Sequence, residues 1–329
     1  MRVYFHLAAC AVAAAVCAHF PVAAQDVAAS YPSKPVRVVI PYPPGGSTDT
    51  EARLYNDKLQ ASLGQPFIFD YRPGAASTIG VAYTMKAAPD GYTIMMAGST
   101  LTVLPNFYPE LNHAVVSTLI PVIELSNRGT GVLVSPAALP NVHTLRDLVN
   151  YGKTNPGKLN CVTSGPGGIS HIVCAALSNA LHIPITPVHY KGAGQSVVDL
   201  IAGRVQLHAI TLFVPISHIR AGKLRPIATL GHERSALLPD VTTSFEQGFN
   251  VDYPNWLGLF APPRTPQAIV EKLNAELVKA IRSPDVAKAM EAQGLTPIAR
   301  SSDAFRKKIA SELTYWKKIV EDNNIQASE

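Results

Sequence analysis

The chain has 329 residues, 47% of them hydrophobic and 16% charged, with a formal net charge of +5. This length can bury one large or two medium cores, and two domains is the better reading. The positive excess is spread without a basic block, which argues against a nucleic-acid-binding surface.

The N-terminus has one cation, Arg2, followed by an unbroken run of apolar or small residues over 7–18. That is the pattern of a cleavable secretory signal, and the run is too short to span a bilayer. Val22 and Ala24 supply the small residues of a cleavage site, so the signal peptide is expected at 1–24 and the mature chain near Gln25. A lipoprotein signal ending at Cys10 is the competing reading, but it leaves almost no apolar region before the cysteine. Cleavage removes Arg2 and no acid, lowering the positive excess by one charge. Cys10 and Cys17 also leave with the signal, and only Cys161 and Cys174 reach an oxidising compartment. We expect them to form a disulfide that braces the loop 164–168.

Residues 36–40, Val-Arg-Val-Val-Ile, predict a buried strand, ended by Pro41 and the loop 42–49. Ala52, Tyr55, Leu59 and Leu63 then fall at helical spacing, and Gly64 stands where a helix C-terminus wants a left-handed residue. A second strand follows at 67–70. The unit repeats with a loop at 72–77, a helix through Ile79, Ala82, Tyr83 and Lys86, a Pro89-Asp90-Gly91 turn and a strand at 92–97. This alternation is the signature of an α/β fold. After a polar connection come strands at 120–125 and 131–134, a helix from Thr144 and a strand at 159–163. The loop Ser164-Gly-Pro-Gly-Gly168 opens a helix over 170–181. A further unit comprises a strand at 186–188, the loop 189–194, a helix at 195–202 and a strand at 205–210. The last third has strands at 225–229 and 257–261, then helices. Thr265-Pro266 reads as an N-cap with proline at the first helical position. The final helix, from Ser302, buries Phe305, Ile309, Leu313, Trp316 and Val320.

Three glycine-rich loops therefore sit where strands hand over to helices. Glycine lets the backbone approach a ligand, and the first N–H groups of the helix are free donors at the positive end of its dipole. Each loop could equally be a tight turn whose hydroxyls cap the helix. The nucleotide signatures are missing: no G-x-x-x-x-G-K-[ST] occurs, and Gly165-Pro-Gly-Gly-Ile-Ser170 departs from G-x-G-x-x-G at its last position. No G-x-S-x-G surrounds Ser164, and His232-Glu233 lacks a second histidine. His171 and Cys174 are one turn apart with Cys161 nearby, but a fourth metal ligand is not evident. Asp49 is the acid of the first loop; it either caps the next helix, orients the loop or meets a ligand ammonium. Tyr190 and Lys191 are either plain loop residues or ligand contacts.

The motifs Pro41-Tyr-Pro-Pro-Gly-Gly-Ser-Thr-Asp49, Tyr71-Arg-Pro-Gly-Ala75, Ala88-Pro-Asp-Gly-Tyr-Thr93, His189-Tyr-Lys-Gly192, Ala221-Gly-Lys-Leu-Arg225 and Trp256-Leu-Gly-Leu-Phe-Ala-Pro262 resemble the substrate-binding proteins of tripartite tricarboxylate transporters, the Bug family. The similarity runs in order over nearly the whole mature chain. It implies a type II periplasmic binding protein fold, with two α/β lobes and a ligand cleft between them. The expected division is lobe 1 at 25–124 and 225–329, and lobe 2 at 125–224. It also implies a periplasmic receptor that is not an enzyme, has no cofactor, is monomeric, and hands a small-molecule carboxylate to membrane permease subunits. The family's carboxylate-holding loops correspond here to Gly45, Gly46, Ser47, Thr48 and Asp49, to Ser164 and Gly165, and to Tyr190, Lys191, Gly192, Ala193 and Gly194. Ser99 joins them from its place at a strand's carboxyl end, and Thr211 from the end of the strand after Gly203. Tyr71, Ala76-Ser77 and Ile210-Thr211 depart from the family's usual Asn, Gly-Gly and Asp-Asn. The wall they form is less polar and bulkier, which counts against a small amino acid as ligand. Two other readings stay open at this point. One is a secreted hydrolase or metal enzyme using Ser164, His171 and the cysteines, and the other is a receptor for a signalling partner.

Overall fold

The computed structural model of the protein describes residues 29–325, apart from 75–76, 109–110, 164–168, 191–192, 214, 233 and 254. The signal peptide expected at 1–24 lies outside the described residues. β1 (Val36–Ile40) is a branched apolar run whose Val36, Val38, Val39 and Ile40 are buried, as a central parallel strand requires. It pairs in parallel with β2 (Phe67–Tyr71) on one side and β3 (Thr93–Gly98) on the other. α1 (Ser47–Leu63) carries the chain from β1 to β2, burying Ala52, Tyr55 and Leu59. It stops at Gly64, whose φ of 69° suits a residue without Cβ and lets its N–H reach the Gln60 carbonyl. α2 (Thr78–Met85) connects β2 to β3 in the same way.

The polar connection expected after β3 is in fact structured. α3 (Thr100–Val103) and α4 (His113–Val116) lie there, and Leu101, Val103, Leu104, Leu111 and Val116 are buried. Each helix is one turn long, too short for its apolar period to be read. β4 (Ile120–Arg128) then runs out of the first sheet and, after Gly129 alone, continues as β5 (Thr130–Val134) in the second.

The second sheet repeats the plan of the first. β6 (Asn160–Thr163) pairs in parallel with β7 (Thr186–His189) and β8 (Leu207–Thr211). The connecting helices are α5 (Leu145–Thr154) before β6, α6 (Ile169–Leu181) and α7 (Ala193–Ile201). Beyond β8, α8 (Ile216–Arg220) leads to β9 (Arg225–Leu230), which pairs antiparallel with β5. The sequence reading returns the chain to the first lobe at 225. However, β9 fills the free edge of β5 and stays in the second sheet. The first sheet regains the chain only at β10 (Trp256–Ala261), which lies antiparallel between β3 and β4.

α9 (Gln267–Arg282) follows. The Thr265 hydroxyl donates to the Pro262 carbonyl, and Pro266 stands at the N-cap, so the expected threonine cap is not made. α10 (Pro284–Ala292) leads into β11 (Leu295–Arg300), a strand absent from the sequence reading, which pairs antiparallel with β4. α11 (Ser302–Asp322) closes the chain. The strand orders are β11-β4-β10-β3-β1-β2 and β7-β6-β8-β5-β9. In each, three parallel strands carry an antiparallel neighbour beside β3 or β8. This is the two-lobed α/β architecture of type II periplasmic binding proteins, with β4–β5 and the segment from β9 to β10 crossing between lobes. α11 belongs to both. Its Phe305, Ile309 and Leu313 pack with Trp256 and Phe260 of the first lobe, whereas Trp316 and Val320 pack with Leu177 and Leu181 of the second.

Candidate functional site

The first loop leaves β1 and enters α1 through Gly45, at φ 78°, and Gly46, which occupies the N-cap without a side-chain cap. An α-helix leaves its first N–H groups without intrahelical acceptors, so the backbone of Ser47, Thr48 and Asp49 forms a donor array at the positive end of the dipole. The Asp49 side chain takes no part in that array. Its carboxylate turns back to accept the Gly45 N–H at 2.8 Å, the Tyr71 hydroxyl at 2.8 Å and Arg53 Nε at 2.9 Å. Burial pushes its pKa up, but these three donors outweigh burial and hold it below the ordinary carboxylate value. Asp49 is therefore a brace that fixes the loop. Tyr71, in the position of the family's usual Asn, is part of that brace.

Arg128, at the end of β4, was not found by sequence reasoning. Its Nε and Nη2 donate to Glu51 Oε2 at 3.0 and 2.8 Å, its Nη1 reaches Ser47 Oγ at 3.2 Å, and Nη2 approaches Thr48 Oγ1 at 3.5 Å. Glu51 is fully buried one turn into α1 and also accepts from Ser126. The residues that meet here are 77 apart in sequence, and only the crossing strand brings them together.

A pocket of about 390 Å³ opens over this helix end, lined by Gly45, Gly46, Ser47, Thr48, Ser99 and Arg128 together with Tyr42 and Asn255. Four residues predicted from the first loop, and Ser99, thus line one cavity. The Tyr42 hydroxyl accepts the Gly98 N–H at 3.1 Å and ties the loop to the end of β3. Asn255, from the crossing segment before β10, donates from Nδ2 to the Thr211 hydroxyl at 2.7 Å.

Thr211 lines a second, smaller pocket of about 170 Å³ at the carboxyl ends of β6 and β8, together with Thr163, Ser170, Ser196 and His208. Asn255 lines the first pocket, and its hydrogen bond to Thr211 links it to the lining of the second. Of the other predicted residues, Tyr190 is turned away, its hydroxyl donating to Asp199 Oδ2 on α7 at 3.0 Å. Burial and the Asp199 carboxylate both raise its pKa. Ala193 and Gly194 open α7. Ser164, Gly165, Lys191 and Gly192 lie outside the described residues. Cys161 and Cys174 are joined as a disulfide with Cα atoms 6.2 Å apart, which removes both thiols from any metal-ligand set.

Residues 51–325 match the tripartite tricarboxylate transporter family receptor. The chain is 33% identical to Protein BugT of Bordetella pertussis over 92% of this chain and 93% of that one. Among solved structures it is similar to MatC (Rpa3494) from Rhodopseudomonas palustris with bound malate, at 29% identity and TM-score 0.70 over 88% of this chain and all of that one. It is also similar to R. palustris Rpa4515 with adipate, at 26% identity and TM-score 0.74, covering 91% of this chain and 100% of that chain.

Proposed function

Since the chain belongs to the tripartite tricarboxylate transporter receptor family, and is thus a periplasmic solute-binding receptor for carboxylates and not an enzyme, we propose that it captures its solute in the cleft between the two lobes and delivers it to permease subunits of that transporter class. The lobes of this reading are 29–128 with 256–325, and 130–253. The observation that carries it is the open end of α1, where uncapped amides, the Ser47 and Thr48 hydroxyls and Arg128 converge on one pocket. Similarity to receptors holding malate and adipate supports a carboxylate as the group held there.

The energetics are adequate. Micromolar binding corresponds to about −8 kcal/mol, and hydrogen bonds to a charged group contribute roughly 1.5–3 kcal/mol each. Four or five donors offset the cost of ordering two lobes.

Thr48→Val tests the assignment. Thr48 lies inside the helix, past the N-cap Gly46, so its hydroxyl does not cap the helix, and on this reading it contacts the solute. Calorimetric titration with a carboxylate selected by thermal shift should show affinity lowered about tenfold, or roughly 1.5 kcal/mol, with stability nearly unchanged. Unchanged affinity with lowered stability removes Thr48 from the site and makes the hydroxyl purely structural.

A further inference from the structure

One polar group in the second-lobe pocket carries a buried ring nitrogen that no described residue satisfies. His208 is the second residue of β8, is 6% exposed, and lines the pocket with Thr163 and Thr211. Strand alternation explains its placement. Leu207 and Ala209 join the core under α5 and α6, whereas Ile210 joins the opposite layer with Val162 and Val197, so His208 shares that apolar layer. Its Nδ1 is buried and has no hydrogen-bond partner among the described residues. Native folds seldom leave such an atom unsatisfied.

Burial drives the imidazole down to about 4, against a smaller upward pull from the Ala209 backbone, so near neutral pH the ring is uncharged. An uncharged imidazole offers one donor and one acceptor. No lysine or arginine is among the described residues that line this pocket, and Val162, Ile169 and Ile210 make part of its wall apolar.

We propose that this pocket receives the far end of the solute, that His208 is its specificity-determining contact, and that the preferred ligand is a monocarboxylate with an uncharged distal hydroxyl, as in an ω-hydroxy acid. This rests on the reading that the first pocket takes the carboxylate. Asn255, bonded to Thr211, is the boundary the ligand passes. A hydroxyl donates and accepts, so it satisfies either tautomer of His208. A second carboxylate can only accept, and it sheds its hydration in a pocket where the described lining supplies no cation. A methyl end fits but leaves Nδ1 unpartnered.

The test is calorimetric titration near neutral pH with butanoate, hexanoate and octanoate, each beside its ω-hydroxy and its ω-carboxy counterpart. At the best-fitting length, the wild type should bind the hydroxy acid about tenfold more tightly than the methyl-ended acid and the dicarboxylate most weakly. His208→Leu should erase the hydroxyl preference while holding the methyl-ended acid within about threefold, and His208→Gln should restore part of the preference. A wild type that binds the dicarboxylate most tightly overturns the proposal, and this ranking requires no variant to fold. So does a His208→Leu variant that keeps the hydroxyl preference. If none of these acids binds, the carboxylate reading itself falls as well, whereas binding with the wrong ranking defeats only the role of His208.

Discussion

Two charged side chains at the mouth of α1, Asp49 buried and Arg128 half-buried, are put to opposite uses. Asp49 is consumed by donors from Gly45, Tyr71 and Arg53, and it stiffens the loop. Arg128 spends two of its donors on Glu51 and turns a third toward Ser47 at the pocket. Glu312, buried on α11, has a different consequence. Burial pushes its carboxyl up to about 7, against the downward pull of Lys308 and of hydrogen bonds from Trp256 and Thr102. Trp256 Nε1 donates to both of its oxygens at 2.9 Å, and the Thr102 hydroxyl donates at 3.1 Å. Because the folded value lies above the unfolded one, near 4.5, the native state binds the extra proton. The stabilisation is present in full below the unfolded value and is lost as pH rises through about 7. Glu312→Gln keeps one acceptor oxygen for these donors, replaces the other with an NH2 group, and carries no charge. It should therefore be more stable than wild type at pH 8, on the order of 3 kcal/mol, and within ~1 kcal/mol of it at pH 5. His208 titrates with the opposite sign, losing stability as pH falls toward about 4, but it does so in both proteins and cancels from the difference. Denaturant melts at the two pH values check this, and an equal difference at both contradicts it. The loop residues Gly45 to Thr48 were legible because glycine followed by hydroxyl at a strand end is a local signal. Arg128 and His208 were not, because a cation's partner 77 residues away and a strand residue's facing depend on the tertiary fold.

At the scale of elements, β1 and α1 could be read directly, since a run of branched apolar residues and a helical period ending in Gly64 need no outside help. β11 could not. Its sequence, Leu-Thr-Pro-Ile-Ala-Arg, carries a proline and little alternation, and it is a strand because the free edge of β4 accepts it. α3 and α4 are too short to show a period. The disulfide pair was legible from compartment and count, and it ties β6 to α6 with a sequence separation of 13. A ring of this size contributes about 3 kcal/mol in the chain-entropy account. The double variant Cys161→Ala, Cys174→Ala should lose about that much stability. Thiol titration of the unfolded, unreduced wild type should find no free thiol, and two reactive thiols there contradict the bond.

At the scale of the whole molecule, the two lobes share β4–β5, the segment from β9 to β10, and α11. Only Gly129 separates β4 from β5, and a Cβ placed there would come within 2.5 Å of Ser235 Oγ, so the crossing is close-packed as well as short. α11 grips the first lobe with Phe305 and Leu313 and the second with Trp316 and Val320, which favours a small rotation over a wide opening. The β2-β1-β3 and β7-β6-β8 plan was legible as repeated strand–loop–helix units. The return point of the chain was not, because β9 joins the second sheet by edge pairing and not by any local pattern. The central claim is that one solute is held by groups from both lobes, with its carboxylate at the mouth of α1, so that binding draws them together. Small-angle X-ray scattering of the mature protein, with and without a carboxylate whose binding calorimetry has established, tests this most directly. The radius of gyration should fall at saturation, and an unchanged scattering profile at saturation would contradict capture between the lobes.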